Sequence, residues 1–223
     1  MSSQTDSPVN VGPLAFGPDR SVWTWTVENR TEAWTRAMKM VTTLGDTVTL
    51  TIVAVLATAA FCVLRQPRLA VLVGAGSLIG YGLMVGLKHL IGRDRPPSGD
   101  RLLQIETFSM PSGHAMMSTV VYGLMAVAGY QGTRWVRTHR WVLAAAPILA
   151  VAIGWSRVYL GVHWMTDVIA GWVIGVLYVA AASWLLLSTS RPARHDSHAG
   201  SPSAAESPQN NRKPLPRGRP DKS

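Results

Sequence analysis

Cysteine is almost missing from this chain. Cys62 is the single one, so no disulfide can close within the chain and no cysteine cluster can hold a metal ion. Charge is also scarce. Asp, Glu, Lys and Arg make up 15% of the 223 residues, against about 25% in an ordinary soluble domain. The scarcer sign is the acidic one, with 12 acidic against 21 basic residues and a net charge of +9. The stretch MSSQTDSPVN at the start lacks the basic-then-apolar pattern of a cleaved signal peptide. No internal repeat is evident.

Apolar length is abundant. Hydrophobic residues reach 48%, with nine Trp and twenty Gly. Trp favours membrane interfaces, and Gly permits helices to pack closely in lipid. Five runs, at about 47–64, 69–91, 114–130, 141–160 and 165–187, approach the length that crosses a bilayer core of about 30 Å. The expected fold is therefore all-α: an integral membrane helical bundle of about five transmembrane helices. Residues 21–45 read differently. Val27, Trp34, Met38, Val41 and Leu44 recur at helical spacing, while Glu28, Arg30, Glu32, Arg36 and Lys39 take other faces. This predicts an N-terminal amphipathic helix lying in the membrane interface, with Trp23, Trp25 and Trp34 as anchors. Residues 19–188 are expected to form the membrane-embedded domain. Residues 1–18 and the basic, Pro/Ser-rich tail 189–223 are expected to be disordered, since neither can bury a core.

An odd number of spans puts the two ends of the chain on opposite sides. Arg65, Arg68, Arg134, Arg137, Arg140 and the basic tail share one face, which carries the whole net charge. Orientation follows Lys and Arg near the membrane rather than net charge, and by that count the faces are closer; with Lys88, Arg95 and Arg157 on the other face set aside as serving chemistry, the first face, with the C-terminal tail, is cytoplasmic. The basic excess is thus a topology signal plus a solvated tail, and no nucleic-acid partner is expected.

Three polar stretches interrupt the apolar pattern, and alternation of the spans puts all three on the other face. KHLIGRDRP closes the second span with Lys88, Arg95 and Pro96, PSGH (Pro111 to His114) opens the third, and SRVYLGVHWMTD (156–167) joins the fourth to the fifth. Lys88, Arg95 and Arg157 bring three cations to one surface, and the arginine fork suits phosphate oxygens. Ser112 and Gly113 start a helix whose free N–H groups favour an anion, with Ser112 placed to cap it. Gly113 lets an oxyanion approach the backbone closely. His163 and Asp167 are four residues apart, on one face of a helix begun there. A carboxylate on one ring nitrogen leaves the other free to attack, and His114 is placed to protonate a leaving oxygen. Singly, each residue has a plain explanation: Lys88 as a snorkelling side chain, Arg93 and Asp94 as a solvent pair. Together, at these spacings, they favour a phosphoryl group.

The pattern Lys-x6-Arg-Pro, Pro-Ser-Gly-His, Ser-Arg-x5-His-x3-Asp resembles the three-part signature of the type 2 phosphatidic acid phosphatase superfamily, which also holds class A bacterial acid phosphatases, glucose-6-phosphatase and vanadium haloperoxidases. Each signature position is filled, by Lys88, Arg95, Pro96, Pro111, Ser112, Gly113, His114, Ser156, Arg157, His163 and Asp167. Many membrane members have six spans, one more than is counted here. The resemblance implies a phosphatase that uses no metal or other cofactor. His163 would be the nucleophile, forming a phosphohistidine. Asp167 would orient it and His114 would be the general acid. Lys88, Arg95, Ser112, Gly113 and Arg157 would hold the phosphoryl oxygens. The membrane setting points to a lipid phosphate or diphosphate, of phosphatidic acid or polyprenyl (undecaprenyl) diphosphate type. It also points to a bacterial plasma membrane with the site on its extracytoplasmic face. An anionic-lipid transporter or flippase using the same cations is the competing expectation. The sequence carries no signal for oligomeric state.

Overall fold

The computed structural model describes residues 17–188. The stretches 1–16 and 189–223, on which most of the expected disorder falls, lie outside the described residues; Gly17 and Pro18 open the first helix. The described chain forms α1 (Gly17–Glu28), α2 (Glu32–Thr43), α3 (Thr47–Val63), α4 (Pro67–Ile91), α5 (Gly113–Gly132), α6 (Arg134–Thr138), α7 (Ala145–Tyr159) and α8 (Met165–Ser188). Among the described residues there is no strand.

Local chemistry sets the helix ends. Thr31 caps α2 by accepting the Trp34 N–H on its side chain. Pro67 opens α4 at its first turn, where its missing N–H costs no bond. Gly92 ends α4 at φ 60°, a left-handed conformation that suits glycine, and its N–H returns to the Lys88 carbonyl.

Helix α5 is the centre of the bundle and packs on α3, α4, α7 and α8. Met116, Val120, Leu124 and Ala128, spaced by four, form a stripe with no exposed surface. Helix α8 comes especially close. A Cβ on Gly171 would stand 2.9 Å from the Ser112 carbonyl oxygen, and one on Gly175 would stand 2.8 Å from Thr119 Cβ. This small-x3-small pair lets the α8 backbone lie against the start of α5. The outward faces are apolar instead: Val48, Ile52 and Val55 on α3, Leu78 and Ile79 on α4, Val176, Leu177 and Leu185 on α8 are all more than half exposed. Such a surface is compatible with lipid and unfavourable in water.

Five spans are expected from the sequence; among the described residues three helical stretches can cross a membrane by length and composition, Pro67–Ile91, Arg140–Tyr159 and Met165–Leu186. A fourth is the pair α2 and α3, bent by 43°. Helix α5 is not among them, because Gly, Ser, Thr, His and Gln dilute its apolar content. Enclosed by four neighbours, it has little lipid to face and does not require a uniformly apolar surface.

The expected single interfacial helix over 21–45 is two helices. The chain breaks at Asn29–Thr31, where it is bound to the far end of α7: Arg30 Nε donates to the Tyr159 carbonyl at 3.1 Å, and the Thr31 N–H donates to the Tyr159 hydroxyl at 3.1 Å. Tertiary hydrogen bonds outweigh the local periodicity here. Trp25 and Trp34 are exposed, but Trp23, expected as an interface anchor, is buried against Trp164 with ring centroids 6.2 Å apart. Helix α1 packs on α7 and α8, and α2 packs on α7.

Candidate active site

The end of α4, the start of α5, the end of α7 and the start of α8 fall at one end of the bundle, as alternating helices require. Lys88, Arg95, Gly113, His114, Arg157 and His163 line one cavity of about 1230 Å³. Its remaining wall is mainly apolar, from Leu50, Ala54 and Val55 of α3, Leu78, Met84 and Val85 of α4, and Met117 and Val121 of α5. Two of the expected residues do not line it: Asp167 stands behind His163, and Ser112 is fully buried beside Gly113.

His163 lies in the loop between α7 and α8 and is 2% exposed. Its Nε2 is 3.0 Å from Arg95 Nη1. A guanidinium only donates, so Nε2 is the accepting nitrogen and the ring proton sits on Nδ1. Nδ1 faces Asp167 Oδ2 and Ser109 Oγ, each at 3.4 Å. Burial first, then the nearby Arg95, Arg157 and Lys88 charges, push the His163 pKa well below the usual imidazole value. The ring is therefore neutral at pH 7, with one lone pair directed at a cation.

Asp167 is fully buried and its two oxygens are divided between different donors. Oδ1 accepts from Arg93 Nη1 at 2.6 Å. Oδ2 accepts from the Trp164 N–H at 2.9 Å and from a very short bond with Ser109 Oγ. The carboxylate cannot rotate without breaking one of these.

Arg95 is fixed to the loop before α5. Its Nε donates to the Thr107 carbonyl at 2.6 Å, and its Nη1 donates to the Val162 carbonyl at 2.6 Å. Burial lowers its pKa to about 10, with Asp167 opposing the shift, so it stays charged at neutral pH. Lys88 Nζ donates to the Phe108 carbonyl at 2.6 Å. Arg157, 2% exposed, donates to Thr42 Oγ1 at 2.7 Å, while its Nε has no hydrogen-bond partner. The Ser112 hydroxyl is likewise buried without one. Ser112 was expected to cap α5 with that hydroxyl, but no such cap bond forms. The residue is held by its backbone instead, the N–H donating to the Asp167 carbonyl at 3.0 Å. His114 Nε2 is 2.8 Å from Asp46 Oδ1.

Sequence reasoning missed four residues of this arrangement: Asp19, Asp46, Arg93 and Ser109. Arg93 was expected to pair with Asp94 in solvent. It is instead 3% exposed and bound to Asp19 and Asp167. Adjacent residues rarely face one another, and that alone argued against the Asp94 pairing. Asp46 stands at the N-cap of α3 but makes no side-chain cap bond; its carboxylate turns to His114. No local pattern marks Ser109 or Asp19.

Fold and site together define a helical integral membrane protein with a cationic, histidine-bearing cluster at one end of an apolar cavity. The chain belongs to the PAP2 superfamily, whose sequence profile matches residues 68–191. It is 40% identical over 92 residues to phosphatidylglycerophosphatase B of Bacillus subtilis, covering 41% of this chain and 45% of that protein. It is 44% identical over 69 residues to undecaprenyl-diphosphatase of Sulfolobus acidocaldarius, covering 30% of this chain and 29% of that one. The chain thus spans half or less of the length of these curated relatives. Among solved structures it is similar to the transmembrane PAP2-type phosphatidylglycerolphosphate phosphatase from Bacillus subtilis. The TM-score is 0.71 at 29% identity, over 78% of this chain and 87% of that one.

Proposed function

We propose that the protein is an integral membrane phosphatase that removes a phosphoryl group from a lipid phosphate or diphosphate through a phosphohistidine on His163. One observation carries this reading. The His163 ring has its proton on the Asp167 side and its Nε2 lone pair toward Arg95, at the cavity that also meets Lys88, Arg157 and His114. In the reaction, Nε2 attacks phosphorus and the N–P bond forms as the P–O bond to the leaving group breaks. The leaving oxygen takes its proton from His114. Water then attacks the phosphohistidine, its proton passing to His114, and inorganic phosphate leaves. Lys88, Arg95, Arg157 and the Gly113 N–H face the charge that builds on the phosphoryl oxygens, where fixed donors in a dry site act most strongly. An anionic-lipid carrier needs cations but not a nucleophile-ready imidazole, so the same observation disfavours that reading.

The apolar wall from α3 and α4 suits a substrate whose tail stays in lipid while its head reaches the cations. Polyprenyl diphosphate is the first choice, with phosphatidic acid and related glycerolipid phosphates next; the names of the two relatives fall in both classes. Phosphate release by purified protein in detergent, across a panel of these lipids, ranks them. A panel that releases no phosphate, from a protein that still binds the lipids, overturns the phosphatase reading in favour of the carrier. Activity is expected to persist in excess EDTA.

We place the site on the extracytoplasmic face of a bacterial plasma membrane, with the Arg137 loop cytoplasmic. In a Cys62→Ser background, Glu106→Cys is expected to react with a membrane-impermeant maleimide in intact cells, and Arg137→Cys only after lysis. The reverse pattern inverts the topology.

His114 acts from a fixed position because Asp46 holds its Nε2. Asp46→Asn is expected to lower kcat about tenfold or more for lipid alkyl phosphates, within the usual range of acid assistance. An activated aryl phosphate, whose leaving oxygen needs no proton, is expected to lose far less. Equal losses on both substrates exclude this role.

A further inference from the structure

The proposed chemistry uses His163, Asp167 and the cavity cations, yet the hydrogen bonds of Asp167 continue beyond it to residues that do not line the cavity. Arg93 Nη1 donates to Asp167 Oδ1 at 2.6 Å, and Arg93 Nη2 donates to Asp19 Oδ2 at 2.7 Å. Asp19 is on α1, 1% exposed, and Arg93 is 3% exposed. The Asp19 carboxylate also accepts the Thr166 N–H at 2.9 Å and the Thr166 hydroxyl at 2.6 Å, in the first turn of α8, one residue before Asp167. Thr166 Oγ1 in turn accepts from Arg93 Nη1 at 2.7 Å. A buried chain of alternating charge, Asp19, Arg93, Asp167, thus ends on the imidazole.

We propose that Asp19 is a positioning residue for the reaction at His163, acting through Arg93, so that the N-terminal helix α1 is part of the catalytic apparatus and more than a membrane anchor. This rests on the phosphatase reading above. Arg93 occupies Oδ1 of Asp167, which leaves Oδ2 to face Nδ1 of His163 and fixes the rotation of the carboxylate. Asp19 in turn shares the Arg93 charge. Without the Asp19 anion, more of the Arg93 charge falls on Asp167 and neutralises the negative charge that the ring needs as phosphorylation makes it cationic. A buried charge is tolerated only when paired, and one carboxylate on each side of Arg93 meets that need without spending all of Asp167.

Asp19→Asn separates this role from simple helix docking. The Asn amide oxygen can still accept the Thr166 N–H and keep that tie between α1 and α8, while an NH2 replaces the anion that faced Arg93 and the Thr166 hydroxyl. In the full-length protein in detergent, with farnesyl diphosphate as the probe substrate, kcat is expected to fall about tenfold to a hundredfold with KM within about threefold, a loss in the range of misplaced catalytic groups. Asp19→Glu, which restores the anion, is expected to recover part of kcat. Arg93→Met should lower kcat at least as far, and adding Asp19→Asn to it should cost nothing more, because Asp19 acts through Arg93. If Arg93→Met does not fold, the Asn and Glu pair at Asp19 decides alone. Wild-type kcat in Asp19→Asn, a matched rise in KM, or no recovery in Asp19→Glu overturns the proposal. His163→Ala, run alongside, separates the two levels. Phosphate release that survives in His163→Ala overturns the parent reading, whereas an inactive His163→Ala beside an unaffected Asp19→Asn overturns this inference only.

Discussion

His163→Ala is expected to lower phosphate release by on the order of ten-thousandfold or more, the scale seen when a nucleophile of a catalytic group set is removed, while substrate binding persists. The loss should be this large because no neighbour of the ring takes its place beside Arg95. Of the other groups at the cavity, Lys88, Arg95 and Arg157 have no lone pair to offer while charged, and His114 is held by Asp46 on its Nε2. Binding should persist because the three cations remain, and losing the imidazole opens space beside Arg95 without removing a phosphate donor. Alkaline quenching of wild-type turnover with ³²P-labelled substrate is expected to trap label on the protein, and none on His163→Ala. On the proposed mechanism the same residue sets the acid side of the pH profile. Its pKa lies below the ordinary 6.5 because burial and neighbouring cations oppose the charged ring. The free enzyme therefore keeps its nucleophile as the pH falls through 6.5, and the acid limb of kcat/KM should lie below that value. A limb at or above 6.5 contradicts the buried, cation-flanked site. The linkage has the same sign for stability. The unfolded ring takes up a proton near pH 6.5 and the folded ring does not, so stability from this group falls as the pH drops below about 6.5.

Asp167→Asn is expected to reduce kcat by about a thousandfold to ten-thousandfold, as the same change does in a Ser-His-Asp triad. The reason here is tautomeric. The carboxylate accepts at every contact, from Arg93, Ser109, the Trp164 N–H and the ring Nδ1 side. An amide has one accepting atom and one donating atom. With its NH2 toward Nδ1, the ring proton moves to Nε2 and fills the lone pair that must attack phosphorus. With its NH2 on the other side, it meets the Arg93 guanidinium, donor against donor. Either orientation is unfavourable, so Asp167→Asn should also lower the melting temperature, whereas His163→Ala should change it less. A variant retaining more than about a tenth of wild-type kcat removes Asp167 from the proposed mechanism.

Much of the arrangement was legible because the chemistry sits at helix ends. Gly92 ends α4 just beyond Lys88, Gly113 opens α5, and Met165 opens α8 two residues before Asp167. Alternation of apolar runs was then enough to put these ends on one side. What was not legible is where the chain crosses itself at long sequence separation. Arg93 meets Asp19 and Asp167, 74 residues away on either side, and His114 meets Asp46 across 68 residues. Nothing within a helical turn of Arg93 announces two carboxylates. Local pattern is overridden in the N-terminal segment. The amphipathic period over 21–45 reads as one helix, yet bonds from Arg30 and Thr31 to Tyr159, 128 or 129 residues away, break it.

By itself, the sequence determined the helical membrane class, the approximate ends of the long apolar helices and the set of residues able to meet a phosphoryl group, because hydrophobic period and motif spacing are local properties. Only the tertiary structure decided that Trp23 is buried, that α5 is enclosed by other helices, and that Arg93, Asp19, Asp46 and Ser109 stand behind the histidines. Those are decided by which helices pack together, and the free energy of packing belongs to surfaces brought together by the whole fold.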